Sequence, residues 1–297
     1  MRVLILFLLF TLSWACTPST PLPDLYAEAW IHGSPDCSTN TDPLIQVLQY
    51  DQDTWILRQN KCTNYEAPFM FLFFGKDRAL LMDTGATEGQ DSFPLYETVK
   101  KIMLARSKAS ASLPLVVAHT HKHGDHYAAD GQFKGKSNVD LVGLEVEDVQ
   151  AFFGINNWPN EPVDFDLGGR NLTIIPIPGH QAASIAVYDP ATQILLTGDS
   201  FYPGRLYVGD WPAFRQSIKR LVDFTGTQEI SYILGNHIEM SQTPGQDYPM
   251  GTTYQPQELA LPLNTSDLDV LAKALEELGD SPQKAVYDRF IIYPVDW

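Results

Sequence analysis

Four histidines and one aspartate lie within the eight residues 119–126, which read HTHKHGDH. Imidazole and carboxylate groups are the ligands that proteins use for zinc and related divalent metals. His121 and His123 are two residues apart, so an extended backbone would direct both side chains to the same side. Asp125 and His126 follow a glycine, at which the chain can turn toward a second position. The spacing therefore predicts one loop that contributes ligands to two metal ions.

Three further polar residues come after an apolar segment and a glycine. His180 follows LTIIPI and a Pro-Gly pair, Asp199 follows QILLTG, and His237 follows ISYILG and an asparagine. Each of these histidines alone would be typical of an ordinary loop or core residue. Because loops that leave a sheet commonly carry functional side chains, the repeated arrangement predicts that all three residues join the histidine-rich loop as ligands.

The rest of the chain must supply the sheets that bring these loops together. Helical periodicity predicts helices at 92–106, 145–154, 213–224 and 267–278, with a capping box from Ser266 to Asp269 at the start of the last. Strand clusters that alternate with helices indicate two packed mixed sheets with helices outside. Segment 239–264 is Pro-rich and aperiodic, and loops of such length usually shape a site. Apolar segments predict strands at 45–51, 54–60, 67–75, 78–85, 113–118, 139–143, 172–177, 184–189, 193–198, 230–235 and 285–295.

The N-terminus has the pattern of an export signal. One arginine precedes an apolar run that is too short to span a bilayer, and a small residue, Ala15, follows. We therefore expect a signal peptide at 1–15, a Pro-rich linker at 16–25 and one domain at 26–297. Cys16 after Ala15 resembles a bacterial lipobox, although Ser13 replaces the usual leucine. This favours a lipid-anchored protein in the periplasm or at the membrane, and leaves simple cleavage after Ala15 open.

The cysteine count agrees with export. The chain has three cysteines, so lipid on Cys16 would leave Cys37 and Cys62 as a pair. Exported proteins lie in oxidising compartments, where such a pair forms a disulfide. Two unpaired thiols are the alternative, because sequence cannot place their Cα atoms within bridging distance.

Charge narrows the possible partners. The formal net charge is −16, and no run rich in Lys and Arg occurs. Nucleic-acid binding requires clustered basic residues, so nucleic acid is excluded as a substrate. A small-molecule substrate remains, with membrane contact only through the possible lipid anchor.

The ligand spacing resembles that of the metallo-β-lactamase superfamily. Its His-x-His-x-Asp-His signature matches His121, His123, Asp125 and His126, and its later ligands match His180, Asp199 and His237. The resemblance implies an αββα sandwich. It also implies that His121, His123 and His180 hold one metal, that Asp125, His126 and His237 hold the other, and that Asp199 bridges them. Zinc suits these ligands, and the family also uses iron or manganese.

The resemblance further implies a hydrolase. A hydroxide that bridges the two metals would attack a carbonyl group, and Asp125 would pass a proton to the leaving group. Asp83, in the segment LMDTG, matches an early structural aspartate of the family and is expected to orient a histidine rather than to bind metal. His119 and His32 are expected to be structural, because the ligand sets are complete without them.

The bridging aspartate, Asp199, limits the classes of reaction that the resemblance implies. It is similar to that of glyoxalase-II-like thioesterases, lactonases and phosphodiesterases, whereas β-lactamases of the fold generally lack it. Export argues against a glutathione thioester, whose chemistry belongs to the cytosol. We therefore expect cleavage of an ester, lactone, amide or thioester bond in a small molecule outside the cytoplasm. Tyr202 and Tyr207 are candidates for binding the substrate, with packing beneath the loop as the alternative.

Three other functions stay open. One is a β-lactamase. The second is an oxidoreductase with a single iron, similar to persulfide dioxygenases. The third is a tethered binding protein with a vestigial site, against which the retention of all the ligands argues.

Overall fold

The structure, a computed structural model, describes residues 21–106 and 112–296. The predicted signal peptide and Cys16 lie outside the described residues. Within the described residues the strands form three sheets. The first sheet, in spatial order, contains β1 (Ile45–Gln49), β2 (Thr54–Gln59), β3 (Phe69–Phe74), β4 (Ala79–Met82), β5 (Leu115–Ala118) and β6 (Val139–Leu141). The second contains, in chain order, β7 (Val163–Asp166), β8 (Asn171–Pro176), β9 (Ile185–Asp189), β10 (Ile194–Gly198) and β12 (Tyr232–Gly235). The small third sheet contains β11 (Arg205–Val208), β13 (Ala285–Val286) and β14 (Ile291–Pro294).

Helices cover the outer faces of the two large sheets. The helices of the described residues are α1 (Leu95–Arg106), α2 (Gly124–Tyr127), α3 (Asp130–Phe133), α4 (Val146–Phe153), α5 (Trp211–Thr225) and α6 (Thr265–Leu278), with a 3₁₀ turn at Cys37–Thr39. In the described ranges, no helix is both long enough and apolar enough to cross a membrane.

The continuous apolar strands face two cores at once. In β3, Phe69, Phe71 and Phe73 pack between the two large sheets against residues of β8, β9 and β10. The alternate residues Met70 and Phe74 point to the other side, toward α1 and α3. Successive side chains of a strand point to opposite faces, so a strand covered on both faces is apolar throughout. A further cluster fills the space between the second sheet, α5 and α6. The layers are therefore helix, sheet, sheet, helix, which confirms the expected αββα sandwich of two mixed sheets.

Two local expectations were wrong, and four short elements were not predicted. The predicted strand at 285–295 is broken into β13 and β14, which pair antiparallel around a turn in which Tyr287 N donates to Phe290 O. Strands β7 and β11 and the short helices α2 and α3 were not predicted, because each is short and contains charged or polar residues, unlike the equally short but fully apolar β4 and β5. The last helix is capped by Asn264 with Asp267, one half-turn before the expected Ser266 with Asp269.

The predicted disulfide is present. Cys37 and Cys62 are bonded, and their Cα atoms are 5.2 Å apart. The bond joins the segment before β1 to the segment between β2 and β3.

Candidate metal centre

The direction of the strands gathers the predicted ligands at one edge. β4 and β5 are parallel neighbours, so Asp83 and the loop at 119–126 leave the first sheet together. β10 and β12 are also parallel, and β8 has the same direction because β8 and β10 are both antiparallel to β9. His180, Asp199 and His237 therefore leave the second sheet at one end. This arrangement follows from strand direction alone.

Backbone hydrogen bonds lock the two edges to each other. Ile185 N, at the start of β9, donates to Thr120 O at 2.9 Å. Phe69 N donates to Asn236 O at 2.7 Å, and the Asn236 side chain donates back to Phe69 O at 2.7 Å. The loops that carry the ligands are thus tied across the interface between the sheets, which holds side chains from both sheets in one place.

Glycines precede two of these residues because the backbone passes close to neighbours. Gly179 has φ +141°, and a Cβ atom there would lie 2.3 Å from the Cα atom of Phe214. Gly198 has φ +53°, and its Cβ would lie 2.8 Å from that of Thr120. Such positions exclude other residues on both conformational and steric grounds. The glycines that mark the ligands in the sequence are therefore a consequence of packing.

The first ligand group consists of His121, His123 and His180. His180 Nε2 lies 3.1 Å from His121 Nε2 and 2.9 Å from His123 Nδ1, and the latter two atoms are 3.1 Å apart. Three ring nitrogens bound to one zinc ion at ordinary distances would be about 3.3 Å apart. The geometry of the first ligand group therefore fits a single metal ion.

The second ligand group consists of Asp125, His126, Asp199 and His237. Asp125 Oδ2 lies 3.3 Å from His126 Nε2 and 3.2 Å from His237 Nε2, and these two nitrogens are 3.4 Å apart. Helix α2 positions Asp125 and His126, because both residues lie within it. One carboxylate and two imidazoles thus face a second common point.

Asp199 lies between the two groups. Its Oδ2 atom is 3.5 Å from the Nε2 atoms of His126 and His237, and 3.9 Å from those of His121 and His180. Its Oδ1 atom is buried and has no hydrogen-bond partner among the described residues. A buried carboxylate oxygen without a partner carries a high desolvation cost unless a cation compensates it. Asp199 is therefore placed to contact ions in both groups.

Hydrogen bonds fix which ring nitrogen faces the centre. His180 Nδ1 lies 2.7 Å from Tyr207 O, and His237 Nδ1 lies 3.0 Å from Glu66 O. Because a carbonyl oxygen only accepts, each Nδ1 is the protonated donor, and Nε2 is the ring nitrogen that faces the centre. In the first ligand group, bare nitrogens 2.9–3.1 Å apart repel one another unless a cation lies between them. The donor set thus fits divalent metal ions.

The two groups differ in their pKa values. Burial lowers the pKa of the His121 and His123 imidazoles, and it lowers that of His180 to about 4. Burial acts in the same direction on His237, but Asp199 and Asp125 outweigh it and raise the pKa to about 9. For His126 the carboxylates likewise outweigh burial, so its pKa is raised.

The pKa values of the two carboxylates in the second group are lowered. Burial would raise the pKa of Asp125, but the imidazoles of His126 and His237 outweigh it and hold that pKa well below the usual range. The pKa of Asp199 is lowered for the same reason. Both carboxylates therefore stay ionised and available to a cation.

Asp83 supports the centre from behind. Its carboxylate accepts from Thr120 N at 2.8 Å and from Asn236 Nδ2 at 2.6 Å, and its Oδ2 lies 3.5 Å from His126 Nδ1. It belongs to neither ligand group. Its backbone has φ +67°, a conformation that aspartate tolerates better than most residues. Asp83 thus joins the ends of β4, β5 and β12, and it faces the ring nitrogen of His126 that points away from the centre.

The other two histidines lie outside the centre. His119 Nε2 is 2.9 Å from Asp130 Oδ1, on the side of α3. His32 packs near Tyr254, with ring centroids 5.8 Å apart. Neither belongs to the two ligand groups.

A cleft of about 1050 Å³ opens over both ligand groups. The predicted residues Tyr202 and Tyr207 line it, but the Tyr202 hydroxyl donates to Arg205 O at 2.5 Å and lies 3.1 Å from Glu239 Oε2. Its ring is buried, so Tyr202 is part of the wall rather than a free donor to a substrate. The Tyr207 hydroxyl accepts from Arg205 Nε at 2.9 Å and is only half-buried.

Several residues of the cleft wall were not predicted from the sequence. Glu66 and Glu239 line the cleft, and Arg205 ties Glu239 (2.6 Å) to Asp247 (2.6 Å) in the long segment 239–264. Glu239 follows His237 by two residues, which was an available signal. Arg205 carried none, because its partners lie 34 and 42 residues away. Glu239 and Met250 on the wall agree with the expectation that 239–264 shapes the site.

Comparison with known proteins identifies the family. The family model of the metallo-β-lactamase superfamily matches residues 66–287, which include both ligand groups. The chain belongs to the metallo-β-lactamase superfamily. The resemblance inferred from the ligand spacing is therefore confirmed.

Relatives and solved structures agree with this assignment. Hydroxyacylglutathione hydrolase of Mesorhizobium japonicum is 29% identical over 122 residues, covering 40% of this chain and 48% of that protein. Acyl-coenzyme A thioesterase MBLAC2 of Homo sapiens is 26% identical over 196 residues, covering 54% of this chain and 65% of that protein. The chain thus spans less than two thirds of each of these superfamily members. A metallo-β-lactamase from Pontibacter korlensis superposes with a TM-score of 0.53 at 20% identity, over 78% of this chain and 99% of that chain, which shows the shared fold.

Proposed function

We propose that the chain is a hydrolase that binds two divalent metal ions, most suitably zinc, and cleaves an ester, lactone, thioester or amide bond in a small molecule. Membership of the superfamily and the two ligand groups support this proposal. The similarity to a hydroxyacylglutathione hydrolase and an acyl-coenzyme A thioesterase supports acyl transfer to water as the reaction.

The position of Asp199 carries the proposal. One of its oxygens lies 3.5–3.9 Å from nitrogens of both ligand groups, and the other is buried without a hydrogen-bond partner among the described residues. A shared carboxylate at this place suits two cations held close together. Such a pair, when bound, would supply a water of lowered pKa and an electrophilic partner for the substrate carbonyl oxygen.

The chain's own residues would orient the substrate and move the proton. The cleft admits the acyl group over His123, His180 and His237, all of which line it. Asp125 also lines the cleft, where its carboxylate would take the proton of the attacking water and pass it to the leaving atom as the acyl bond breaks. The products are a carboxylic acid and the protonated leaving group.

A screen of reporters tests this proposal. Metal-loaded protein should hydrolyse at least one of an ester, a lactone and a thioester, and elemental analysis should find about two metals per chain. Turnover of a β-lactam alone would make the protein a β-lactamase. A single iron with oxygen consumption would favour the oxidoreductase, and full metal content without any turnover would favour a binding protein.

Export is a second part of the proposal. We expect residues 1–15 to be removed and Cys16 to become the lipidated N-terminus, as the apolar run and its exit suggest. The Cys37–Cys62 disulfide supports an oxidising compartment. Intact mass spectrometry of the native protein tests this, since an unmodified chain that retains Met1 would exclude both lipidation and cleavage. With Cys16→Ala, the protein should leave the detergent phase.

A further inference from the structure

The wall of the cleft is acidic beyond the metal ligands. Glu66, Glu147, Asp210 and Glu239 line it, whereas Lys122 is the one lysine or arginine among the described lining residues. The remaining wall includes apolar groups, among them Trp158, Val146 and Met250. When a substrate reaches the ligand groups, the part of it that lies outside the scissile bond must therefore contact an apolar and negatively charged surface.

The cations at and behind the wall already have anionic partners. The Lys122 ammonium contacts the Glu145 carboxylate. The Arg205 guanidinium contacts Glu239 and Asp247, each at 2.6 Å, so this cluster carries a net negative charge. A substrate anion at either cation would therefore meet a charge that a carboxylate already compensates.

The positive end of a helix at the cleft is also occupied. The N-terminus of α5 approaches the cleft through Asp210 and Ala213. This is where a substrate phosphate or carboxylate would be expected to bind. Here the Asp210 carboxylate already accepts from Ala213 N at 2.9 Å.

We propose that the cleft selects acyl substrates without anionic groups, cationic ones first and neutral ones second. This inference rests on the proposed hydrolase function and specifies its substrate class. It separates the chain from relatives named for glutathione and coenzyme A, because both of those carriers are anionic at neutral pH. Two bound divalent cations would add positive charge only at the ligand groups, so the selection acts on the part of the substrate that lies along the wall. An acidic wall repels an approaching anion and attracts a cation, and the effect on association is large in a cleft.

Three acetyl thioesters that share one scissile bond test the selection. Their thiols are 2-mercaptoethyltrimethylammonium, 2-mercaptoethanol and 2-mercaptoethanesulfonate, which are cationic, neutral and anionic. The ratio of kcat/KM between the cationic and anionic thioesters, after each value is divided by the rate constant for hydrolysis of that thioester by hydroxide alone, should be about 10-fold to 100-fold in low salt. It should shrink markedly at about 0.5 M salt, where exposed charges are screened. A preference for the anionic thioester would overturn the inference and leave the proposed hydrolase intact.

A pair of variants assigns the effect to the wall. Glu147 is exposed on α4 and lines the cleft, so Glu147→Gln should reduce the cationic-to-anionic ratio by a few-fold. Glu277, exposed on α6 and 3.8 Å from Lys273, is outside the cleft, so Glu277→Gln makes the same charge change and should leave the ratio as it was. Equal ratios in the two variants would contradict a role for the wall.

Binding of the corresponding S-methyl thioethers, which cannot form metal-binding thiolates, separates this inference from the proposed function. Titration calorimetry of the metal-loaded protein should give the same order of affinity, with the cationic thioether binding most tightly. If no thioester is hydrolysed but the thioethers bind in that order, the hydrolase proposal fails and the charge selection stands. If the anionic thioether binds as tightly as the cationic one, the charge selection fails.

Discussion

The two ligand groups lie side by side and are equally buried, yet their imidazoles differ in proton affinity. His180 has 2% of its surface exposed and a pKa near 4, whereas His237 has 3% exposed and a pKa near 9. Burial acts on both in the same direction, so it does not explain the difference. The neighbours do, because His237 lies 3.2 Å from the Asp125 carboxylate and the first ligand group contains no carboxylate of its own.

This contrast defines how each group would treat a cation. The first group offers neutral nitrogens that face one another, and a metal ion relieves their repulsion. The second group contains paired charges that a metal ion must share. Asp199 is the residue that both groups use, so it should be the most sensitive position of the centre.

Replacement of the shared aspartate should have the largest effect. Asp199→Ser removes an anion from between two cations, and so we expect weaker binding of metal in both groups and hydrolysis reduced by at least about 100-fold. The fold should persist, because this carboxylate supports no core packing; a retained circular dichroism spectrum is the control. A harmless substitution together with strong β-lactam turnover in the wild type would instead identify a β-lactamase.

Removal of one histidine from each group should separate the groups. His180→Ala should abolish binding in the first group and His237→Ala in the second, and each variant should retain about one metal per chain by elemental analysis. The lost site should differ between the two variants, which competition with a graded series of chelators can resolve. Full metal content in a protein that lacks His121, His123 and His180 together would contradict the assignment of the first group.

The composition of both groups was predictable because it depends on local spacing. The segment 119–126 sets two histidines on one side of an extended chain, and the glycines before His180 and Asp199 mark where strands end in close packing. Apolar runs on both faces of β3 likewise predicted a strand buried between layers. These sequence patterns are reliable because each depends on a single local cause, either the side-chain period of a strand or one steric requirement.

The cleft wall was not predictable, because it depends on contacts between distant segments. The sequence made Tyr202 a reasonable candidate for binding the substrate. In the structure, however, its hydroxyl donates a hydrogen bond to Arg205 O. Arg205 forms ion pairs with Glu239 and Asp247. These pairs join β11, a strand that was not predicted, to the aperiodic segment 239–264. The cap of α6 illustrates a smaller ambiguity, since Asn264 and Asp267 have the same spacing as the expected Ser266 and Asp269.

Asp83 offers a milder change that should act mainly on the second group. Its carboxylate faces His126 and holds Asn236, which precedes His237. With Asp83→Asn we expect the affinity for the second metal to fall by about 10-fold to 100-fold, the usual range for residues that orient a ligand. The first metal should be less affected. Titration with a competing chelator measures both affinities, and an equal loss at the two sites would show that Asp83 supports the centre as a whole.

The smallest effect on the centre is expected at His119, which shares the histidine-rich stretch but not the metal site. Its Nε2 lies 2.9 Å from Asp130 Oδ1, which also accepts from Thr84 Oγ1 at 2.8 Å. With His119→Gln we expect metal content to remain at about two per chain while the free energy of unfolding falls by about 1–3 kcal/mol, because the partly buried Asp130 carboxylate loses a well-placed partner. Denaturant unfolding of the metal-loaded protein and elemental analysis measure the two quantities. Loss of a metal ion in this variant would mean that the wrong histidines of the stretch had been assigned as ligands, and the contrast between the two groups would have to be rebuilt around His119.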